Sequence, residues 1–244
     1  VWLNYSVQPT AIISENHARA KSIFVRNDDE IYIEKGTAKR HVERWIVSSN
    51  TSTPVMHVAS PCYHIFIDVI DNLYCSLDPH HVVVRNWLGD DDTTPMIAAG
   101  TGVPGSSSDA LLMPCGIFVD GKLTLYVADY GNHRVQMFRR GETHGITVAG
   151  GTSAATTIRL SLPTSVTVDG DGYVYIVDYG NHRIVRGGVN GFRCILGCTG
   201  PSWTANQLTG PRHMAFDGVG NIYVADSLGR VQKIYFAKTS CSEY

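Results

Sequence analysis

The chain is short of charge. Only 17% of its 244 residues are Asp, Glu, Lys or Arg, against about 25% in an average soluble domain, which suits sheets buried on both faces. Twenty Lys and Arg against 22 Asp and Glu leave a formal net charge of −2. With no basic excess to neutralise phosphates, nucleic-acid binding is disfavoured. The pairs Lys39-Arg40 and Arg139-Arg140 read as solvated loop charges. No apolar run approaches the ~18 residues of a membrane helix. No segment repeats with a helical period, which excludes helical solenoids. There is no Cys-x-x-Cys pair, no Gly-x-Ser-x-Gly and no His-Glu-x-x-His, so zinc-knuckle, thioredoxin-like, hydrolase-elbow and zincin sites lack support. Gly100-Thr101-Gly102-Val103-Pro104-Gly105 has the look of a phosphate loop but precedes no helix, and reads as an outer loop. The chain opens at Val1 without a signal-peptide layout, the expected form of a processed product or of one domain of a larger protein.

What the chain has is repetition. Val119-Asp120-Gly121, Leu125-Tyr126-Val127-Ala128-Asp129 and Tyr130-Gly131-Asn132-His133-Arg134-Val135 return as Val168-Asp169-Gly170, Val174-Tyr175-Ile176-Val177-Asp178 and Tyr179-Gly180-Asn181-His182-Arg183-Ile184. Phe216–Val231 is a third copy, and Ile65–Val84 and Ile23–Trp45 are weaker ones. The anchor tyrosines Tyr32, Tyr74, Tyr126, Tyr175 and Tyr223 recur 42 to 52 residues apart. Short strands, Asp/Gly turns and a period in the forties predict an all-β propeller with four strands per blade. Trp2–Ile13 matches the fourth strand of other units, and the chain ends after three strands of a last unit. The expected ring therefore has five blades in one domain over residues 1–244, the N-terminal strand completing the last blade and removing a free sheet edge.

The segments Asp129–Val135 and Asp178–Ile184 resemble the signature of NHL repeats. The resemblance extends from about Ile23 to Ile234 and implies a β-propeller, most often six-bladed. A six-bladed ring is the alternative to the five units counted.

The repeated polar residues read as scaffold. Asp129, Asn132, His133 and Arg134, with Asp178, Asn181, His182 and Arg183 and the partial copy Asp226 and Arg230, predict an Asp to Arg or His bond pinning a hairpin in each blade. Catalytic groups seldom recur in every unit.

Function is expected where copies disagree. Aligned on their first strands, the units place Lys21, Tyr63, Cys115, Thr164 and Arg212 on one channel ring, and Ser22, His64, Gly116, Ser165 and His213 on the next. Tyr63, His64, Arg212 and His213 are the candidate binding residues at the channel mouth, for a protein or peptide ligand. The expectation is a non-enzymatic interaction module without a cofactor. The alternative is a zinc-dependent lyase or hydrolase centred on His64 and His213, related to the peptidyl-hydroxyglycine amidating lyases. That resemblance implies zinc-binding histidines directly after a strand-leading proline, where this chain has Cys115, Thr164 and Arg212. Catalytic zinc generally takes three protein ligands, and two candidates are present. Asp90-Asp91-Asp92 is a possible calcium site that reads by default as an exposed turn.

Six cysteines, Cys62, Cys75, Cys115, Cys194, Cys198 and Cys241, and the sequons Asn4-Tyr5-Ser6 and Asn50-Thr51-Ser52 suggest a secreted, disulfide-bonded glycoprotein. An extracellular or luminal setting is expected, with a cytoplasmic one as the alternative. On a straight strand, Cys194 and Cys198 would sit ~13 Å apart, too far to bridge. Only a bend at Leu196-Gly197 would join them.

Overall fold

The computed structural model describes residues 21–151, 158–188, 190–200 and 207–235. These residues form five antiparallel sheets arranged in a ring, a five-bladed β-propeller. The first blade holds β1 (Ile23–Val25), β2 (Glu30–Glu34), β3 (His41–Ile46) and β4 (Thr51–His57), with one helical turn, Gly36–Lys39, between β2 and β3. The second holds β5 (Ile65–Ile67), β6 (Asn72–Leu77), β7 (Val82–Trp87) and β8 (Met96–Ala99). The third holds β9 (Pro114–Val119), β10 (Leu125–Asp129), β11 (Arg134–Phe138) and β12 (Ile146–Gly150). The fourth holds β13 (Pro163–Val168), β14 (Val174–Asp178), β15 (Arg183–Gly188) and β16 (Gly191–Leu196). The fifth shows β17 (Pro211–Phe216), β18 (Ile222–Asp226) and β19 (Val231–Ile234). The expected closing strand near Trp2–Ile13 lies outside the described residues.

The core consists of slabs between successive blades. Alternate residues of a strand face opposite sides of its sheet. On β10, Leu125 and Val127 pack towards the second blade with Val83, Ala99 and Leu111. Tyr126 and Ala128 pack towards the fourth with Val166, Ile176 and Val185. The second strands β6, β10 and β14 are buried along their whole length, and β10 and β14 are apolar but for their final Asp. Gly116 permits a close approach of the third and fourth blades. A Cβ there would lie 2.6 Å from both Ser165 Cα and Thr164 O.

Two polar devices repeat around the ring. On one face, an Asp after the first strand caps the turn. Asp120, Asp169 and Asp217 each accept two backbone N–H bonds from the following residues. Tyr175 donates its hydroxyl to Asp169 at 3.1 Å. On the opposite face, Asp129 lies wholly buried and accepts from Arg134 Nε at 2.7 Å, Asn132 Nδ2 at 2.8 Å and the Leu112 N–H at 2.7 Å. Arg134 then donates to the carbonyls of Ser106, Ser107 and Ala110, clamping the loop that leads into its own blade. Asp178 repeats the pattern with Arg183 and Asn181, and Asp226 with Arg230.

The histidine of the repeated phrase does not join that pair. Asn fills the position expected for it, and the histidine reaches the next blade. His81, His133 and His182 accept at Nδ1 from the N–H groups of Met113, Leu162 and Gly210. Those three residues immediately precede Pro114, Pro163 and Pro211. Gly and Asn tolerate positive φ, yet Gly131-Asn132 and Gly180-Asn181 are not the residues that adopt it here. They form a tight turn instead, and His133 and His182 hold φ of 54° and 55°. The left-handed backbone at the histidine gives its ring the reach to the neighbouring blade.

The second blade replaces the pin. Register places Leu77 and Val82 where the third and fourth blades have Asp and Arg. Cys62 stands in the place of the leading proline, and a disulfide joins it to Cys75 in β6. A second disulfide joins Cys194 and Cys198, whose Cα atoms are 5.7 Å apart. The strand is not straight there. Gly197 takes φ of +72° and the β15–β16 register shifts between Ile184 and Val185, which removes the ~13 Å separation of an extended path. Cys115 is a buried free thiol, and Cys241 lies outside the described residues.

Candidate functional site: the channel mouth

The first strands β1, β5, β9, β13 and β17 line the central channel. Their lead-in residues are tied to one another by polar bonds. Ser22 Oγ accepts from the Ile65 N–H at 2.9 Å, Ser76 Oγ donates to Cys115 O at 2.5 Å, and Thr164 Oγ1 donates to Pro211 O at 3.3 Å. This lacing fixes the strand starts relative to one another.

Lys21, Ser22, Ile23, Tyr63, His64, Arg212 and His213 surround a cavity of about 470 Å³ at this mouth. All four candidate binding residues are among them. His64 and His213 come from non-adjacent blades, and their Nε2 atoms meet at 2.9 Å with ring centroids 4.7 Å apart. Ser22, the residue of the first blade on this ring, is small and leaves the space in which they meet.

The tautomers follow from the partners. His64 Nδ1 accepts the Ile117 N–H at 3.2 Å, so the proton of the neutral ring is on Nε2. It donates to His213 Nε2, which therefore carries its own proton on Nδ1. Protonating either ring would set two N–H groups face to face. Burial, then the neighbouring His213, lowers the pKa of His64 to about 3. Burial lowers that of His213 as well. Both rings are neutral near pH 7.

The other groups have distinct settings. Burial, then the charge of Asp78, pushes the Cys115 thiol up to about 12, so it is not a nucleophile near neutral pH. Burial and the adjacent Cys115 raise the Tyr63 hydroxyl far above the usual tyrosine value. Arg212 Cζ lies 5.4 Å from the Tyr179 ring centroid, a cation–π distance. Lys21 Nζ is 4.0 Å from Asp78. Tyr179 escapes a reading of channel rings because it lies on the turn after β14. Its fixed place after the repeated Asp is the feature that could have found it.

Among the described residues no group of three or more His, Cys, Asp or Glu is placed to hold a metal ion. Asp90 and Asp92 accept the backbone N–H groups of Asp92 and Thr94 within an exposed turn. Two imidazoles in mutual hydrogen bond fall short of the three ligands of a catalytic zinc site. No described helix is long and apolar enough to cross a membrane.

This geometry defines a β-propeller with a polar channel mouth at which two histidines from different blades meet. Residues 160–186 match the NHL repeat family, and with its five blades the chain is an NHL-repeat β-propeller. No curated protein matches it in sequence. Solved structures share the fold. A structural genomics protein of unknown function from Bacteroides thetaiotaomicron aligns at TM-score 0.66 and 15% identity, over 85% of this chain and 56% of that one. The chain thus spans little more than half of that protein. A nidogen/laminin complex aligns at TM-score 0.65 and 15% identity, over 89% and 80%. A virginiamycin B lyase from Staphylococcus aureus aligns at 0.61 and 11% identity, over 90% and 71%.

Proposed function

We propose that the propeller is a non-enzymatic binding module that holds a protein or peptide ligand at the channel mouth, with Tyr63, His64, Arg212 and His213 as contacts. The observation that carries this reading is the 470 Å³ cavity above a mutually hydrogen-bonded histidine pair. Its size falls in the range of ligand sites. Its histidines have spent their lone pairs on each other and on a backbone N–H, which removes them as general bases. The nidogen/laminin complex gives a propeller of this shape in a protein assembly. Two disulfides favour an oxidising, extracellular setting.

The alternative is a zinc-dependent lyase or hydrolase related to the peptidyl-hydroxyglycine amidating lyases, to which the virginiamycin B lyase likeness, at 11% identity, adds only the fold. It needs zinc at His64 and His213. The two readings separate experimentally. Peptides selected from a displayed library on the wild-type protein are re-tested on Tyr63→Ala and Arg212→Ala variants. Binding lost in both supports the module. Peptides indifferent to both, or stoichiometric zinc that disappears in His213→Ala, count against it.

A further inference from the structure

The groups at the mouth are set as donors. The sequence of bonds starts at a backbone amide: Ile117 N–H to His64 Nδ1, then His64 Nε2–H to His213 Nε2. The proton left on His213 Nδ1 has no acceptor among the described residues. A relay of two neutral imidazoles therefore presents an N–H donor at the floor of the cavity. Arg212 stands beside it, stacked on Tyr179 and without a carboxylate partner among the described residues. Lys21 adds a second cation, held only at 4.0 Å from Asp78. The residues lining the cavity include these two cations and no carboxylate.

Resting on the reading of this mouth as the binding site, we propose that it recognises a carboxylate of its ligand. The carboxylate would take the Arg212 guanidinium as a fork and the His213 Nδ1–H as a third donor, with Lys21 supplying longer-range attraction. A planar, two-oxygen anion matches a guanidinium bidentately. The neutral floor matters: a charged histidine there would lose its bond to its neighbour, so the relay gives a donor without requiring a proton from solution.

The test uses isotope-labelled full chain and the His213 Nδ1 resonance. Sodium acetate, sodium phosphate and methylguanidinium chloride are titrated in separate samples at matched ionic strength. Acetate is expected to shift the resonance saturably, with affinity about tenfold weaker in Arg212→Gln, as for loss of a charge-assisted pair. Methylguanidinium is expected to leave it unchanged. Absence of a saturable acetate response, or tighter binding of phosphate than of acetate, overturns the inference. Selected peptides supply the second readout. Loss of binding on C-terminal amidation identifies a terminal carboxylate, and loss on Asp or Glu replacement identifies an acidic side chain; both support it. Peptides lost in Tyr63→Ala yet bound fully by Arg212→Gln overturn the carboxylate inference while leaving the binding module standing. Peptides indifferent to every substitution at the mouth overturn both.

Discussion

His64 and His213 lie 149 residues apart in sequence and share one hydrogen bond across the channel, Nε2 to Nε2 at 2.9 Å. A proton added to either ring meets an N–H already in place, that of His64 at His213 Nε2 or that of Ile117 at His64 Nδ1. Their folded pKa values lie below the unfolded value of about 6.5. Stability linked to them is therefore present above pH 6.5 and is lost as pH falls towards 3. In that window the unfolded chain binds more protons than the folded one. Denaturant titrations at pH 7 and pH 4 should show a loss of roughly 1 to 2 kcal/mol in the wild type beyond that of a His64→Gln/His213→Gln variant, a discounted figure for a half-buried pair. Equal acid sensitivity of the two proteins would refute it.

Asp129 and Arg134 form the most buried of the repeated pins. Arg134→Ala strands the Asp129 carboxylate and should cost about 3 kcal/mol in equilibrium unfolding. The second blade already carries an apolar solution at this position, Leu77 with Val82. Asp129→Leu combined with Arg134→Val should therefore cost less than Arg134→Ala alone. A double variant as unstable as the single one would contradict the account.

The Cys62–Cys75 disulfide closes a longer loop than Cys194–Cys198, 13 residues against 4 in sequence separation. Loop-closure entropy predicts losses of about 3 and about 2 kcal/mol when each pair is replaced by alanine. The second blade, which lacks the Asp–Arg pin, should feel its loss more. Chemical denaturation of the two double variants measures the order, and a reversed order would count against the substitution of one device by the other.

His133 links the third blade to the fourth through the Leu162 N–H at 3.1 Å. His133→Ala leaves that N–H without its protein acceptor and should cost about 1 kcal/mol. Amide exchange at Leu162 should quicken, while the Asp129–Arg134 pin within the third blade stays protected. Unchanged exchange at Leu162 would show that the bond does not hold the blades together.

The blade unit is legible in the sequence because one phrase recurs with its Asp, Arg and Tyr at fixed spacing. Five sheets follow from counting tyrosines. The role of the repeated histidine is not legible. Its acceptor atom meets an N–H in the next unit, and nothing in the spacing shows which unit a side chain faces. Aligning first strands puts His64 and His213 at one height. That their rings touch depends on channel width and on the small Ser22 between them, which are properties of the closed ring. The Cys194–Cys198 bridge depends on a left-handed glycine at 197, a conformation open to glycine but not dictated by it.

The proposed binding role of the mouth requires that its histidines stay hydrogen-bonded to each other when a metal is offered. The most direct measurement is the heteronuclear spectrum of the histidine side chains of the purified protein, with and without an equivalent of zinc. The expected result is His64 protonated on Nε2 and His213 protonated on Nδ1, both unchanged by zinc. Displacement of the proton from His64 Nε2 by stoichiometric zinc, with both Nε2 atoms becoming metal ligands, would contradict it.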